Sequence, residues 1–175
     1  MARSTPRPEP PDPQAEFPIS PPSYFMHLAM VISVHWSARA EKALAGYDFD
    51  MAAFRALRVV NHYGSATMGE MADYTYSDRT TLTRVVDHLV EIGLMERSKP
   101  PGDRRKVVLT LTPEGRRQFV RARREVSATI EELTQQLPED EMRNAVRMQM
   151  QLIERLADTP RQLSRLLWRG GVEEA

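Results

Sequence analysis

Cysteine is absent from all 175 residues, which excludes disulfide staples, thiolate metal sites and thiol redox sensing together. No apolar run approaches the ~20 residues needed to span a bilayer. The N-terminus, MARSTPRPEPPDPQAEF, lacks the apolar stretch of a secretory leader, so a cytoplasmic location with no membrane partner is expected. A net excess of either charge is missing as well. Lys+Arg and Asp+Glu number 24 each, so whole-chain charge points to no partner. There is no phosphate-cradling glycine loop, nucleophile elbow or metal-assisted hydrolase motif. The histidines, His27, His35, His62 and His88, carry no zinc spacing, so neither metal nor cofactor is expected. Turn, cap and solvated-face roles account for Asp48, Asp50 and the Glu131-Glu132 pair, and the chain reads as a non-enzyme.

What is present begins with proline. Residues 1–22 are rich in it and poor in large apolar side chains, the composition of a disordered arm with polyproline character. A first helix is expected over residues 23–45, ending at Gly46. Its apolar band, including Phe25, Leu28, Val31, Ile32 and Trp36, is wider than one stripe. Burial on two sides, and hence a dimer interface, follows from that width. Asp50 is expected to cap a second helix with Phe54, Leu57 and Val60 inward, ending at the turn Asn61-His62-Tyr63-Gly64.

Thr67-Met68-Gly69-Glu70 reads as a capping box opening a short third helix, residues 68–74. A tight turn, Thr75-Tyr76-Ser77, leads to a fourth helix with Ser77 as N-cap and Leu82, Val85, Val86 and Leu89 inward, ending near Ile92. After Gly93, residues 94–98 and 106–111 alternate like strands around the turn Pro100-Pro101-Gly102-Asp103. Thr112-Pro113-Glu114 opens a fifth helix to about Leu137. A sixth helix follows from Pro138-Glu139-Asp140, with Met142, Val146, Gln149, Ile153 and Leu156 near one face. A last short helix after Thr159-Pro160 carries Leu163, Leu166, Leu167 and Trp168.

The third and fourth helices form a helix-turn-helix, and the hairpin behind them is a basic wing. Residues 97–106 hold five cations (Arg97, Lys99, Arg104, Arg105, Lys106) against the single anion Asp103. The fold class expected is therefore mainly α: a winged helix-turn-helix with a two-stranded β-wing and flanking dimerisation helices. Double-stranded DNA is the surface this arrangement suits. A helix fits the B-DNA major groove, and its short hydroxyls allow close approach. Arg79, Thr80, Thr83 and Arg84 are the expected base readers, since the first turns of such a helix reach base edges. Thr67, Ser77, Thr81 and the backbone N–H groups opening both helices suit phosphate positioning. Arg104 and Arg105 suit the adjoining minor groove, with Asp103 orienting an arginine. His35 and Met51 are the candidates for lining an effector pocket, against ordinary packing. A winged-helix protein–protein module without DNA binding stands as the alternative function. The chain thus divides into an arm (1–22), an N-terminal dimerisation helix (23–47), a winged helix-turn-helix (48–112) and C-terminal dimerisation helices (113–175).

Residues 67–115, TMGEMADYTYSDRTTLTRVVDHLVEIGLMERSKPPGDRRKVVLTLTPEG, resemble the MarR family of winged helix-turn-helix transcriptional regulators. Asp87-His88-Leu89, Gly93-Leu94, Asp103-Arg104-Arg105 and Leu111-Thr112-Pro113-Glu114-Gly115 carry the likeness, and helix order extends it over residues 24–157. The resemblance implies a homodimeric repressor with interleaved terminal helices on a pseudo-palindromic operator. It places Arg105, paired with Asp103, in the minor groove. It also implies release by a small phenolic or other aromatic acid, or by an acyl-CoA-type effector, near the first, second and fifth helices. One departure is His88, where the family frequently has arginine. That change weakens a backbone contact or makes it pH-sensitive.

Overall fold

The computed structural model describes residues 20–75, 77–99 and 107–158. Residues 1–19, Tyr76, the expected wing tip with Asp103, Arg104 and Arg105, and the short helix expected after Thr159-Pro160 lie outside the described residues. The chain divides into two units, Met1–Ser37 and Ala38–Ala175. Its elements are α1 (Pro21–Ala43), α2 (Met51–Tyr63), α3 (Met68–Thr75), α4 (Arg79–Glu91), β1 (Met95–Ser98), β2 (Val108–Leu111), α5 (Pro113–Thr134) and α6 (Glu139–Leu156).

α1 begins two residues earlier than expected because Pro21 and Pro22 occupy its first turn, where no backbone N–H is needed for the helical ladder. It also stops earlier, at Ala43, with a turn running on to Gly46. The expected two-sided burial is not met within one chain. In the first unit Met26, Ile32 and Val34 are 55%, 66% and 61% exposed.

The second unit carries the core, and α2 is its centre. Asp50 caps α2 as expected, its carboxylate accepting the Ala53 N–H at 2.8 Å. Ala53, Phe54, Ala56, Leu57, Val59 and Val60 are all buried, so α2 is enclosed over most of its circumference and not along one stripe. It runs three residues into the expected turn, to Tyr63, and Gly64 closes it with a φ of 74°, a backbone that glycine adopts without a Cβ penalty. Phe54 meets Phe119 of α5 with ring centroids 5.5 Å apart. Met71, Leu82, Val86 and Leu89 close the core from α3 and α4, while Val85 is half-buried at its edge.

β1 and β2 pair antiparallel in the register Met95↔Leu111 to Ser98↔Val108. Alternation holds where it matters: Leu109 is fully buried and its neighbours are not. β1 starts one residue later than expected, at Met95, and β2 starts at Val108 with Val107 outside it; an unforeseen bridge joins Ala66 to Leu109 through a reciprocal pair of backbone bonds at 3.0 and 2.8 Å. α5 starts as its sequence specifies, with the Thr112 hydroxyl accepting the Gly115 N–H at 3.0 Å and Pro113 at the first position. It ends at Thr134, short of Leu137. α6 buries no residue, and Val146 and Leu156 remain 48% and 65% exposed. Among the described residues no helix is long and apolar enough to cross a membrane.

Candidate nucleic-acid interface

The capping box at α3 closes on itself. The Glu70 carboxylate accepts both the Thr67 N–H and the Thr67 hydroxyl at 2.7 Å, while the Thr67 Oγ1 accepts the Glu70 N–H at 3.2 Å. The start of α4 corrects the sequence reading, because Asp78 and not Ser77 is the N-cap. Its Oδ1 accepts the N–H groups of Thr80 and Thr81, both at 2.9 Å, and its Oδ2 accepts the Thr81 hydroxyl at 2.6 Å. An ionised carboxylate satisfies two free N–H groups at once and favours the positive helix end, which a serine hydroxyl does less well. The Thr81 hydroxyl, then the Thr81 N–H, hold the Asp78 carboxyl below the usual carboxylate range. Ser77 instead lies half-buried in the turn, its hydroxyl donating to the Thr75 carbonyl at 3.4 Å.

Both helix starts therefore already carry an anion, which reduces the room for a phosphate there. Thr67 and Thr81 have committed their hydroxyl protons to carboxylates. Thr83 donates to the Arg79 carbonyl at 2.8 Å and keeps its methyl and a lone pair outward.

Arg79, Thr80, Thr83 and Arg84 are all exposed on α4. Their i, i+1, i+4, i+5 spacing sets them on one face, opposite buried Leu82, Val86 and Leu89. Neither the Arg79 nor the Arg84 guanidinium has a hydrogen bond or ion pair among the described residues, in contrast to those of Arg97, Arg117, Arg121 and Arg143. Two free guanidiniums beside two threonine methyls make a surface that can donate to base edges and touch apolar groups.

Two tertiary links fix this helix, and neither follows from local pattern. His88 Nε2 donates to the Asp48 carbonyl at 2.7 Å, so the ring anchors the last turn of α4 to the α1–α2 loop. Asp87 pairs with Arg97 at 2.5 Å, joining α4 to β1 at the wing root. Lys99 follows on the wing with no partner among the described residues. Asp78 was the one missed residue with a sequence signal, since Asp at the cap with a threonine hydroxyl three positions later is a complete cap. Met51 is 3% exposed and its backbone N–H donates to Glu41 Oε1 at 3.3 Å; His35 is exposed on α1.

A capped three-helix core, a two-stranded wing and an exposed second helix of the turn define a winged helix-turn-helix protein. Residues 49–107 match the model of the MarR family. YsmB of Bacillus subtilis, an uncharacterised HTH-type transcriptional regulator, is 32% identical over 91 residues, which are 52% of this chain and 60% of the relative. The chain thus spans about three fifths of that relative's length. A MarR family transcriptional regulator from Silicibacter pomeroyi superposes with a TM-score of 0.71 at 26% identity, over 83% of this chain and 100% of that one. A mutant of MarR from Escherichia coli, solved in complex with operator DNA, gives 0.66 at 25% identity over 74% and 93%. In sequence over residues 49–107 and in fold, the chain is similar to the MarR family of winged helix-turn-helix transcriptional regulators.

Proposed function

We propose that this chain is a sequence-specific DNA-binding transcriptional regulator, a cytoplasmic homodimeric repressor acting on a pseudo-palindromic operator. The observation that carries the reading is the exposed face of α4. Arg79 and Arg84 are the cations there, and neither is neutralised by a described residue. Arg79, Thr80, Thr83 and Arg84 read base edges in the major groove. Thr67 and Thr81 hold the carboxylates that fix the helix starts, Ser77 is left for phosphate positioning, and Lys99 on the wing supplies a free cation. Arg104 and Arg105 enter the minor groove, with Asp103 orienting Arg105. Kinship with an operator-bound relative at 25% identity supports the same partner.

The second copy is argued from apolar exposure. Met26, Ile32 and Val34 on α1, Ile130 and Leu133 on α5, and Val146 and Leu156 on α6 are more apolar surface than a lone chain leaves in water. The dimerisation segments are residues 23–47 and 113–175, and the DNA-binding region is 48–112. On a two-fold dimer, the reading helices meet half-sites roughly 10 bp apart. Release by a small aromatic acid or acyl-CoA-type effector belongs to the same reading. Binding of genomic promoter fragments, followed as salt is raised, tests it. A regulator loses affinity with a log–log slope of roughly −0.9 per phosphate neutralised. A dimer indifferent to duplex DNA at low salt would be a protein–protein module instead.

A further inference from the structure

We propose that residues 160–169 form a short helix that folds back antiparallel onto α6 of the same chain and covers one of its two apolar stripes. The pairing goes beyond the dimer reading given above and holds with or without it.

α6 buries no residue, yet apolar side chains occupy more than half of its circumference. Met142, Val146, Met150 and Ile153 recur at i, i+4, i+8 and i+11 and form one stripe. Met148, Leu152 and Leu156 recur every four residues and form a second, about 100° round the helix from the first. Arg143, Arg147, Gln151 and Glu154 fill the remaining side and are all exposed. One neighbouring helix answers a single stripe of roughly 100°, so α6 has room for two neighbours. A second copy is one. The other stripe leaves Met148 45% and Leu156 65% exposed, and it runs to the last residue of the helix.

The chain leaves α6 at that end. Ala157 is extended and closes the helix with its N–H on the Ile153 carbonyl at 3.1 Å. Two residues on, Thr159-Pro160 repeats the Thr112-Pro113 pair that opens α5, where the threonine hydroxyl accepts the N–H three residues ahead. Gln162 stands at the matching third position, and its side chain completes a capping box with Thr159. Gly170-Gly171 ends the helical pattern. Between these signals Leu163, Leu166 and Leu167 share one face, with Arg161 and Arg165 on the opposite one.

The connection Ala157–Thr159 has the ordinary length of a link between antiparallel helices, and it holds the new helix beside Leu156. Turned back over that link, Leu163 falls level with Leu152 and Leu167 level with Met148. Each pair is spaced by four residues on its own helix, so a single register seats both. The first stripe ends a turn earlier, at Ile153, and is left for the second copy. Of the α6 residues cited for that copy, Val146 stays with it and Leu156 passes to the hairpin.

The absence of cysteine makes the test direct. Leu152→Cys with Leu163→Cys, in the full chain, is equilibrated with reduced and oxidised glutathione, and the intrachain disulfide is quantified by mass. Gln151→Cys with Leu163→Cys is the control, one residue away on the solvated side of α6. The facing pair is expected to close with an effective concentration about tenfold or more above the control. Equal effective concentrations, or a disulfide found only between chains, overturn the hairpin. Hydrogen exchange on the unsubstituted chain covers the case of a variant that does not fold. Amides 164–169 are expected to exchange about tenfold or more slower than in a free peptide, and exchange at the free-peptide rate overturns the pairing. Sedimentation separates the two readings. A monomer with the disulfide formed supports the hairpin and counts against the second copy alone, whereas a dimer with unprotected amides counts against the hairpin alone.

Discussion

Gly115 on α5 sits so close to Leu94 that a Cβ built on it falls 1.9 Å from the Leu94 carbonyl oxygen. That carbonyl also accepts the Thr112 N–H at 3.2 Å, so the first turn of α5 lies directly on the entry to β1. Gly93, with φ of 74°, turns the chain out of α4 into that contact. The wing's root is thus a place where backbone meets backbone with no side chain between.

Gly115→Ala is accordingly expected to destabilise the fold by more than helix propensity would gain. Overpacking against an immovable backbone costs roughly 1–3 kcal/mol or more, against a gain of about 1 kcal/mol from removing a helical glycine. Urea denaturation of the purified chain measures the sign. A midpoint at or above that of the parent protein refutes the contact.

The cap at Asp78 has a pH signature. Its folded-state pKa is lowered by the Thr81 hydroxyl and backbone bonds, so it contributes stability that is present above the ordinary carboxylate range. This contribution is lost as pH falls through the lowered folded value. Asp78→Asn keeps an acceptor at the cap and loses the acid-dependent increment. Thermal melts of parent and variant are therefore expected to converge as pH falls and to separate towards neutrality; a constant separation would mean the charge does not matter.

Asp87 and Arg97 provide a coupling measurable without DNA. Their side chains are 56% and 40% exposed, so a double-mutant cycle with Asp87→Asn and Arg97→Gln should return only about 0.2–1 kcal/mol. A larger effect of either single change on operator affinity than on stability identifies the pair as setting the wing's direction. Equal effects on both would make it a plain structural tie.

Arg84→Ala and Arg105→Ala are expected to separate the two kinds of contact. The first relaxes discrimination at particular base pairs, and the second lowers operator affinity without unfolding the protein. Competition binding against single-base operator variants distinguishes them. Uniform weakening by Arg84→Ala across all sequences would reassign it to the phosphate backbone, and unchanged affinity for Arg105→Ala would remove the wing from the mechanism.

Local chemistry was legible wherever one short motif contains both partners of an interaction. Thr67 with Glu70, Asp50 before α2, and Thr112-Pro113 all behave as their types and spacing require. Adjacent rivals were harder. Ser77 and Asp78 are both good caps with a threonine three residues ahead, Thr80 and Thr81, so spacing does not choose between them; the carboxylate wins because it satisfies two N–H groups at once. The early start of α1 turned on reading Pro21 and Pro22 as first-turn residues and not as a break. Links such as His88 to Asp48, 40 residues apart, and the Ala66 bridge to Leu109 left no periodic trace, because a single contact between distant segments has no repeat to detect. The same holds for the free state of Arg79 and Arg84, which depends on where every other carboxylate comes to rest.

The bridge at Ala66 bears on how this protein behaves in concentrated solution. With Leu109 already bonded on that side, β2 offers little backbone for a stray chain to dock on, and the outer flank of β1 reads Glu96, Arg97 and Ser98, all solvated. A hairpin so flanked is a poor template for runaway strand stacking, so the projecting part of the molecule carries little risk of seeding aggregates.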